Sequence, residues 1–210
     1  MHLTFAVSLF LSACLIGCGS SGATTSTVAF VAELQRAQSV DYTPLESADH
    51  AVSRADLIIR GRIEDVRDGL RIASPRGGGR IFAEMATLEV RIEEVISGSV
   101  ARGAPLRVQV RIAGSSVTGL RRLLPDTDVI LILDDITKWR PFGEEATSIE
   151  YPAGVDADDT LFMPYTDGIW FDGDGALRGG LDQVTLADGW GSPRTINELE
   201  DTLRAAAADR

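Results

Sequence analysis

Residues 105–112 read PLRVQVRI, and this stretch decides the fold class. Its apolar side chains are Leu106, Val108, Val110 and Ile112, and they alternate with Arg107, Gln109 and Arg111. Successive side chains of a β-strand point to opposite faces of the sheet. The alternation therefore predicts a strand with one apolar face and one polar face.

The same period of two continues on both sides of this strand. Upstream it runs through residues 56–66 (DLIIRGRIEDV) and 82–98 (FAEMATLEVRIEEVISG). A glycine inside the first of these strands, Gly61, predicts a sharp bend there or the close approach of another backbone. Several short strands separated by turn signals are typical of antiparallel barrels and sandwiches.

The strands downstream carry a different signal. Residues 128–135 (DVILILDD) are apolar at successive positions, which indicates a central strand covered on both faces. Residues 160–165 (TLFMPY) predict another strand, and residues 168–181 (GIWFDGDGALRGGL) predict a hairpin that turns at 172–175. The chain is thus expected to be mainly β, a barrel or sandwich of about six or seven antiparallel strands.

Helical periods appear at the two ends of the domain. Residues 47–56 (SADHAVSRAD) predict a short helix capped by Ser47 or Asp49. The folded region is expected to begin at this helix, which gives one β-rich domain over residues 47–210. At the other end, a helix over about 193–208 is expected to start with Ser192 as cap and Pro193 as its first residue. Its apolar stripe consists of Ile196, Leu199 and Leu203.

The N-terminus reads as an export signal. Residues 5–16 (FAVSLFLSACLI) form an uncharged apolar run of twelve. A membrane-spanning helix needs about 20 such residues, so the run fits a secretory leader instead. Residues 1–17 are expected to be this leader, and no later segment is long and apolar enough to span a bilayer.

The end of the leader, LIGC at residues 15–18 followed by GSSG, resembles the lipobox of bacterial lipoproteins. In that family the cysteine thiol receives a diacylglyceryl group and the peptide bond before it is cut. The resemblance implies a lipid, palmitate among its acyl chains, on Cys18. LSAC at 11–14 fits the same pattern, but cleavage before Cys14 would leave a very short apolar run. A plain secretory signal with incidental cysteines is the alternative.

The lipoprotein resemblance also implies a location. It places the protein outside the cytoplasm, held to the plasma membrane or the outer membrane through Cys18. Residues 18–46 are expected to be the lipidated cysteine and a flexible tether, because residues 19–27 (GSSGATTST) are small and polar, while residues 28–38 (VAFVAELQRAQ) are compatible with a short helix within this segment. The cysteine left after cleavage has no second cysteine to pair with, so a disulfide framework is not expected.

The order of the strand segments carries a second resemblance. ADLIIRGRIEDV (55–66), ATLEVRIEEVISGSV (86–100) and LLPDTDVILIL (123–133) are similar to the strands of the netrin/TIMP-like OB-fold group. This resemblance covers residues 55–134 and implies an OB-like five-stranded Greek key. It does not carry over protease inhibition, which in that group needs a disulfide-bonded N-terminal cysteine.

The net charge and the residue types present restrict the classes of function that the chain can have. The net charge of −11 excludes a nucleic-acid-binding class, which neutralises phosphates with Lys and Arg. The mature chain has one histidine, His50, in a predicted surface helix, and no paired nucleophile and base. The expected function is a non-enzymatic binding or scaffolding domain whose partner is an envelope protein or a small ligand. The alternatives are an envelope hydrolase that uses acidic residues and a calcium-binding module.

Two groups of side chains are candidates for binding. The acidic turns provide oxygen ligands of the kind that calcium prefers, and no other cofactor is expected. Their residues are Asp156, Asp158, Asp159, Asp172 and Asp174. Aromatic residues gather in the C-terminal third, where they predict either a binding surface or core packing under loops. The surface candidates are Trp139, Phe142, Tyr165 and Trp170.

Overall fold

A computed structural model describes residues 21–36, 43–74, 80–101, 105–112, 114, 116–138, 148–173, 175–180, 186 and 189–210. The helices are α1 (Ser21–Gln35), α2 (Ala48–Arg54), α3 (Val117–Arg122) and α4 (Ile196–Ala208). The strands are β1 (Leu57–Ser74), β2 (Arg80–Gly98), β3 (Leu106–Ile112), β4 (Asp128–Asp135), β5 (Ser148–Glu150), β6 (Phe162–Asp172) and β7 (Leu177–Gly179). The mainly β fold that the sequence predicts is confirmed.

All seven strands belong to one sheet, and five of them close into a ring. The ring order is β1–β2–β3–β6–β4 and back to β1, with β5 paired to β1 and β7 paired to β6. Every pairing is antiparallel except β3 with β6, which is parallel and consists of Val108 opposite Phe162. This order is compatible with an OB-like arrangement. The specific likeness to the netrin/TIMP-like group stays a prediction.

β4 is central, as its apolar run predicts. It lies between β1 and β6. Val129 and Leu131 face a cluster inside the ring, whereas Ile130 and Ile132 face a second cluster outside it. All four side chains are fully buried.

The outer cluster is covered by α2 and α4. The predicted stripe of α4, formed by Ile196, Leu199 and Leu203, is buried, and Ser47 caps α2 by accepting the backbone N–H of His50 at 3.1 Å. The predicted start of α4 is wrong by three residues. Ser192 lies in a left-handed turn with φ 55°, and the cap is Thr195, whose Oγ1 accepts the N–H of Glu198.

A third cluster of buried apolar side chains forms where β1 and β2 extend beyond the ring, and in this region Gln109 is buried rather than exposed as the sequence predicts. The cluster includes Leu70, Ile72 and Met85. Gln109, which the alternation places on a polar face, is fully buried. Its Oε1 accepts the N–H of Leu70 at 3.1 Å and its Nε2 donates to Thr87 Oγ1 at 2.9 Å.

The folded chain begins further upstream than residue 47. Phe30, Val31 and Leu34 of α1 are buried in the cluster inside the ring. These three residues are spaced as one face of a helix. The helix α1 contacts both β3 and β6, two strands for which the structure describes a single paired position. Gln35 Nε2 also donates to the carbonyl oxygen of Gly179 at 3.0 Å. One face of residues 27–35, a segment that the sequence places within a tether, thus packs into the core.

Of the two alternatives predicted at Gly61, a sharp bend or the close approach of another backbone, the structure shows a close approach. A Cβ at this position would collide with the carbonyl oxygen of Arg91 on β2. The pairing of β1 with β2 shifts register between Arg60 and Gly61. Glycine is therefore required here by the neighbouring strand.

Candidate functional site

A cleft of about 420 Å³ opens at one end of the ring, where β1 and β3 begin and β4 ends. Three carboxylates and one guanidinium reach it from four separate parts of the chain. These charged groups belong to Asp56, Arg107, Asp135 and Asp159. The remaining lining is mostly apolar and consists of Val100, Ala101, Pro105, Leu106 and Phe162, with Ser99 and Thr160 adding hydroxyl groups.

One wall of the cleft is an ion pair. Arg107 of β3 donates to Asp159, which lies just before β6. Asp159 also accepts the backbone N–H of Asp156 at 2.9 Å. These two donors, the backbone N–H first, hold the pKa of Asp159 below its usual range. The carboxylate is therefore charged at neutral pH and fixed in position.

A second part of the cleft lining is Asp56, which is held by the end of β4. Its backbone N–H donates to the carbonyl oxygen of Leu133 at 3.0 Å, and its Oδ2 accepts the backbone N–H of Asp135 at 2.8 Å. The start of β1 and the end of β4 are thus joined by two hydrogen bonds. Asp56 and Asp135 share this rigid corner.

Asp134 lies beside the cleft rather than in its lining. Burial, the hydrogen bond with Asp56 and the charge of Asp56 raise the pKa of Asp134 to about 6, while Arg54 opposes the shift. Tyr165 is half-buried nearby and donates its hydroxyl to the carbonyl oxygen of Arg54 at 3.0 Å. Burial, followed by the charge of Asp134, raises the pKa of Tyr165. Asp134 therefore keeps its proton to a higher pH than an ordinary aspartate does, with Asp56 as the neighbouring carboxylate.

The predicted acidic turns lie at opposite ends of β6. Asp156, Asp158 and Asp159 precede the strand, whereas Asp172 ends it and accepts the N–H of Gly175 at 3.1 Å in the hairpin turn. The two ends of β6 pair with opposite ends of β4, Phe162 with Asp135 and Phe171 with Val129, which are six residue steps or roughly 20 Å apart, so the two turns do not meet. Asp174 lies outside the described residues. Among those described, no group of three or more His, Cys, Asp or Glu is placed to hold a metal.

Two of the four aromatic residues predicted as a binding surface, Tyr165 and Trp170, lie within the described residues. Trp170 is 4% exposed, belongs to the outer cluster and donates its indole N–H to the carbonyl oxygen of Asp167 at 2.7 Å. It therefore takes the core role that was the alternative to a binding surface. Tyr165 lies at the edge of the same cluster, beside Asp134. Trp139 and Phe142, like Cys18, lie outside the described residues.

Of the four charged residues of the cleft, Asp56, Arg107 and Asp135 are not among the site residues predicted from the sequence. One signal could have found Asp56. When β1 and β4 are antiparallel neighbours, the residue before β1 meets the residues that end β4, so Asp56 must lie beside Asp134 and Asp135. No comparable local signal marks Arg107, because its approach to Asp159 depends on the parallel contact of β3 with β6.

A larger groove of about 930 Å³ runs along β2 beyond the point where β3 begins. Its charged side chains are already engaged in ion pairs. Arg91 pairs with Glu64 of β1 at 2.7 Å, and Glu94 pairs with Arg204 of α4. We therefore regard the smaller cleft, with its converging carboxylates, as the candidate site.

The chain matches no protein-family model, no curated protein and no solved structure. Across the described ranges, no helix combines the length and apolar character needed to cross a bilayer.

Proposed function

We propose that this protein is a lipid-anchored envelope protein that acts as a non-enzymatic binding domain. The observation that carries the proposal is the convergence of Asp56, Asp135 and Asp159 around an apolar floor in a cleft of about 420 Å³. Ligand sites are typically concave and apolar, with a few fixed polar groups. Because carboxylates outnumber the single guanidinium, the cleft suits a small ligand or peptide segment that carries positive charge and an apolar part.

Binding fits the lining better than covalent catalysis. A nucleophile needs a base within hydrogen-bond reach and a group that orients the base. The described lining contains no His or Cys, and its hydroxyl groups, from Ser99 and Thr160, make no hydrogen bond to a carboxylate there. The arginine that could stabilise developing charge is paired with Asp159.

An oligolysine peptide provides the direct test of the cleft. In a titration followed by amide NMR shifts, we expect the signals of Asp56, Asp135 and their neighbours to move, and Asp135→Asn to weaken the binding. Asp126→Asn is the matched control, because this exposed carboxylate lies before β4, at the other end of that strand. Equal loss in both variants, or shifts distributed over the whole surface, would show non-specific charge attraction and contradict a cleft site.

The anchor has its own test. Mass spectrometry of the mature N-terminus is expected to show an acylated Cys18, and Cys18→Ala to release the protein from membranes or leave the precursor uncleaved. Cys14→Ala is the matched control and is expected to change neither. An unmodified Cys18 in the mature protein would overturn the lipoprotein assignment.

A hydrolase is the second candidate, and one observation favours it. Asp134 lies next to Asp56 and has a pKa raised to about 6, which suits proton transfer near neutral pH. A hydrolase that uses this pair would lose turnover of an envelope polymer on Asp134→Asn. A binding domain would keep its affinity for the oligolysine peptide in that variant.

A further inference from the structure

The helix α1 has two faces with different surroundings. Its inward face, formed by Thr27, Phe30, Val31 and Leu34, is buried. Its outward face at Val28 and Ala32 is exposed, and Val28 is one of two large apolar side chains that are exposed within the described ranges, at 42%. Over residues 27–34, apart from Thr27 and Glu33, the helix is apolar on both faces, which favours a second apolar environment on its outer side.

Charge makes the outward face of α1 compatible with a lipid surface. The chain carries a net charge of −11, which repels anionic head groups. Residues 21–32 of α1, however, contain no charged side chain. The first charges are Glu33 and Arg36, which pair with each other at 2.7 Å. This part of the helix can approach a membrane without electrostatic repulsion of its own.

The short length of chain between Cys18 and α1 limits the distance from Cys18 to the outward face of the helix at Val28. Only two residues lie between Cys18 and Ser21, the first residue of α1. Three residue steps span at most about 10 Å. The seven residue steps along the helix from Ser21 to Val28 add about 10 Å. Val28 is therefore within about 20 Å of the residue proposed to enter the membrane.

We infer that α1 lies along the lipid surface, with Val28 and Ala32 in contact with it, an inference that rests on the lipidation of Cys18 proposed above. The inward face fixes the helix to the ring through Phe30 and Phe171. The domain is then held against the membrane in one orientation, instead of moving freely at the end of a tether.

Site-directed spin labelling tests this contact on the mature, lipidated protein. Cys14 leaves with the leader and Cys18 is acylated, so Val28→Cys and Ala32→Cys each provide a single reactive thiol. The protein is reconstituted in vesicles of phosphatidylethanolamine and phosphatidylglycerol. We expect nitroxides at positions 28 and 32 to gain accessibility to dissolved oxygen and to lose accessibility to an aqueous nickel chelate.

Val95→Cys is the matched control, because Val95 is the other exposed large apolar residue, at 40%, and lies on β2. Its label is expected to keep full accessibility to the nickel chelate. Equal aqueous accessibility at positions 28, 32 and 95 in vesicle-bound protein would overturn the inference. Failure of the protein to float with the vesicles would instead count against lipidation of Cys18, so the two failures are distinguishable.

Discussion

Phe30 of α1 meets Phe171 of β6 edge to face, with ring centroids 5.9 Å apart and ring planes inclined by 75°. Both side chains are fully buried. The T-shaped arrangement is a favoured geometry for aromatic pairs. Because β3 and β6 share one residue pair, this contact makes the N-terminal helix part of the closure of the ring.

Phe30→Ala is expected to lower the free energy of unfolding by about 3–5 kcal/mol, because it leaves a cavity inside the ring. Urea denaturation followed by circular dichroism measures the change. Val28→Ala on the outward face is the control and should stay within about 0.5 kcal/mol of the parent. If the two substitutions cost the same, α1 is not part of the folded domain and the expected tether over residues 18–46 stands.

Gln109→Leu is expected to cost about 2–4 kcal/mol, because it leaves the N–H of Leu70 without an acceptor and breaks the bond to Thr87. Thermal and urea unfolding measure the loss. Arg111→Leu, two residues along the same strand and only partly buried, is the control. A stabilising effect of Gln109→Leu would mean that the polar network contributes nothing to the fold.

Asp134→Asn is expected to stabilise the domain at pH 7.5 and to have no effect near pH 4. The folded state raises the pKa of Asp134 to about 6, so it binds this proton more tightly than the unfolded chain does. Its contribution to stability is complete below the ordinary pKa of a carboxylate and is lost as pH rises to about 6. Because the Asp134 side chain is only partly removed from solvent, we expect a gain of only about 1 kcal/mol after solvent screening.

The free energy of unfolding at pH 4, 5, 6 and 7.5 provides this measurement, with Asp201→Asn, an exposed carboxylate of α4, as control. A parallel pH profile for Asp134→Asn and the parent would show that the folded state does not raise the pKa of Asp134. Such a result would also remove the observation that favours a hydrolase.

Arg60→Met is expected to lower the free energy of unfolding by about 2–3 kcal/mol, somewhat less than breaking a fully buried ion pair. Arg60 joins β1 to Asp128 of β4 and to Glu200 of α4. Burial would raise the pKa of Glu200, but hydrogen bonds from Arg204 and Arg60 lower it, so the pair is charged at neutral pH. Arg122→Met on α3 is the control, and an equal effect of both would show that the pair does not anchor α4.

Local patterns predict much of the ring because its strands have clear periods. The run at 128–135 identifies β4 as central, and the stripe at Ile196, Leu199 and Leu203 identifies the buried face of α4. The burial of Gln109 was not predictable in this way. It depends on β1 and β2 running for 18 and 19 residues, so that their ends fold over a face that alternation alone assigns to solvent.

The cleft is less predictable than the ring. Its charged residues, Asp56, Arg107, Asp135 and Asp159, are spread over a hundred positions and meet only through the order of the strands. Residues 19–27 have the small, polar composition of a tether, and this composition does not reveal that α1 begins at Ser21 and packs into the core. Contacts between distant segments, rather than local preference, determine both features.

β1 takes part in every layer of the protein. Ile59 belongs to the cluster inside the ring, Ile58 to the outer cluster and Ile72 to the third cluster. The strand pairs with β2, β4 and β5. A single residue inserted after Leu57 would exchange the inner and outer side chains of the strand. Among chains that descend from this one, insertions and deletions are therefore expected in the connections between strands and not within β1.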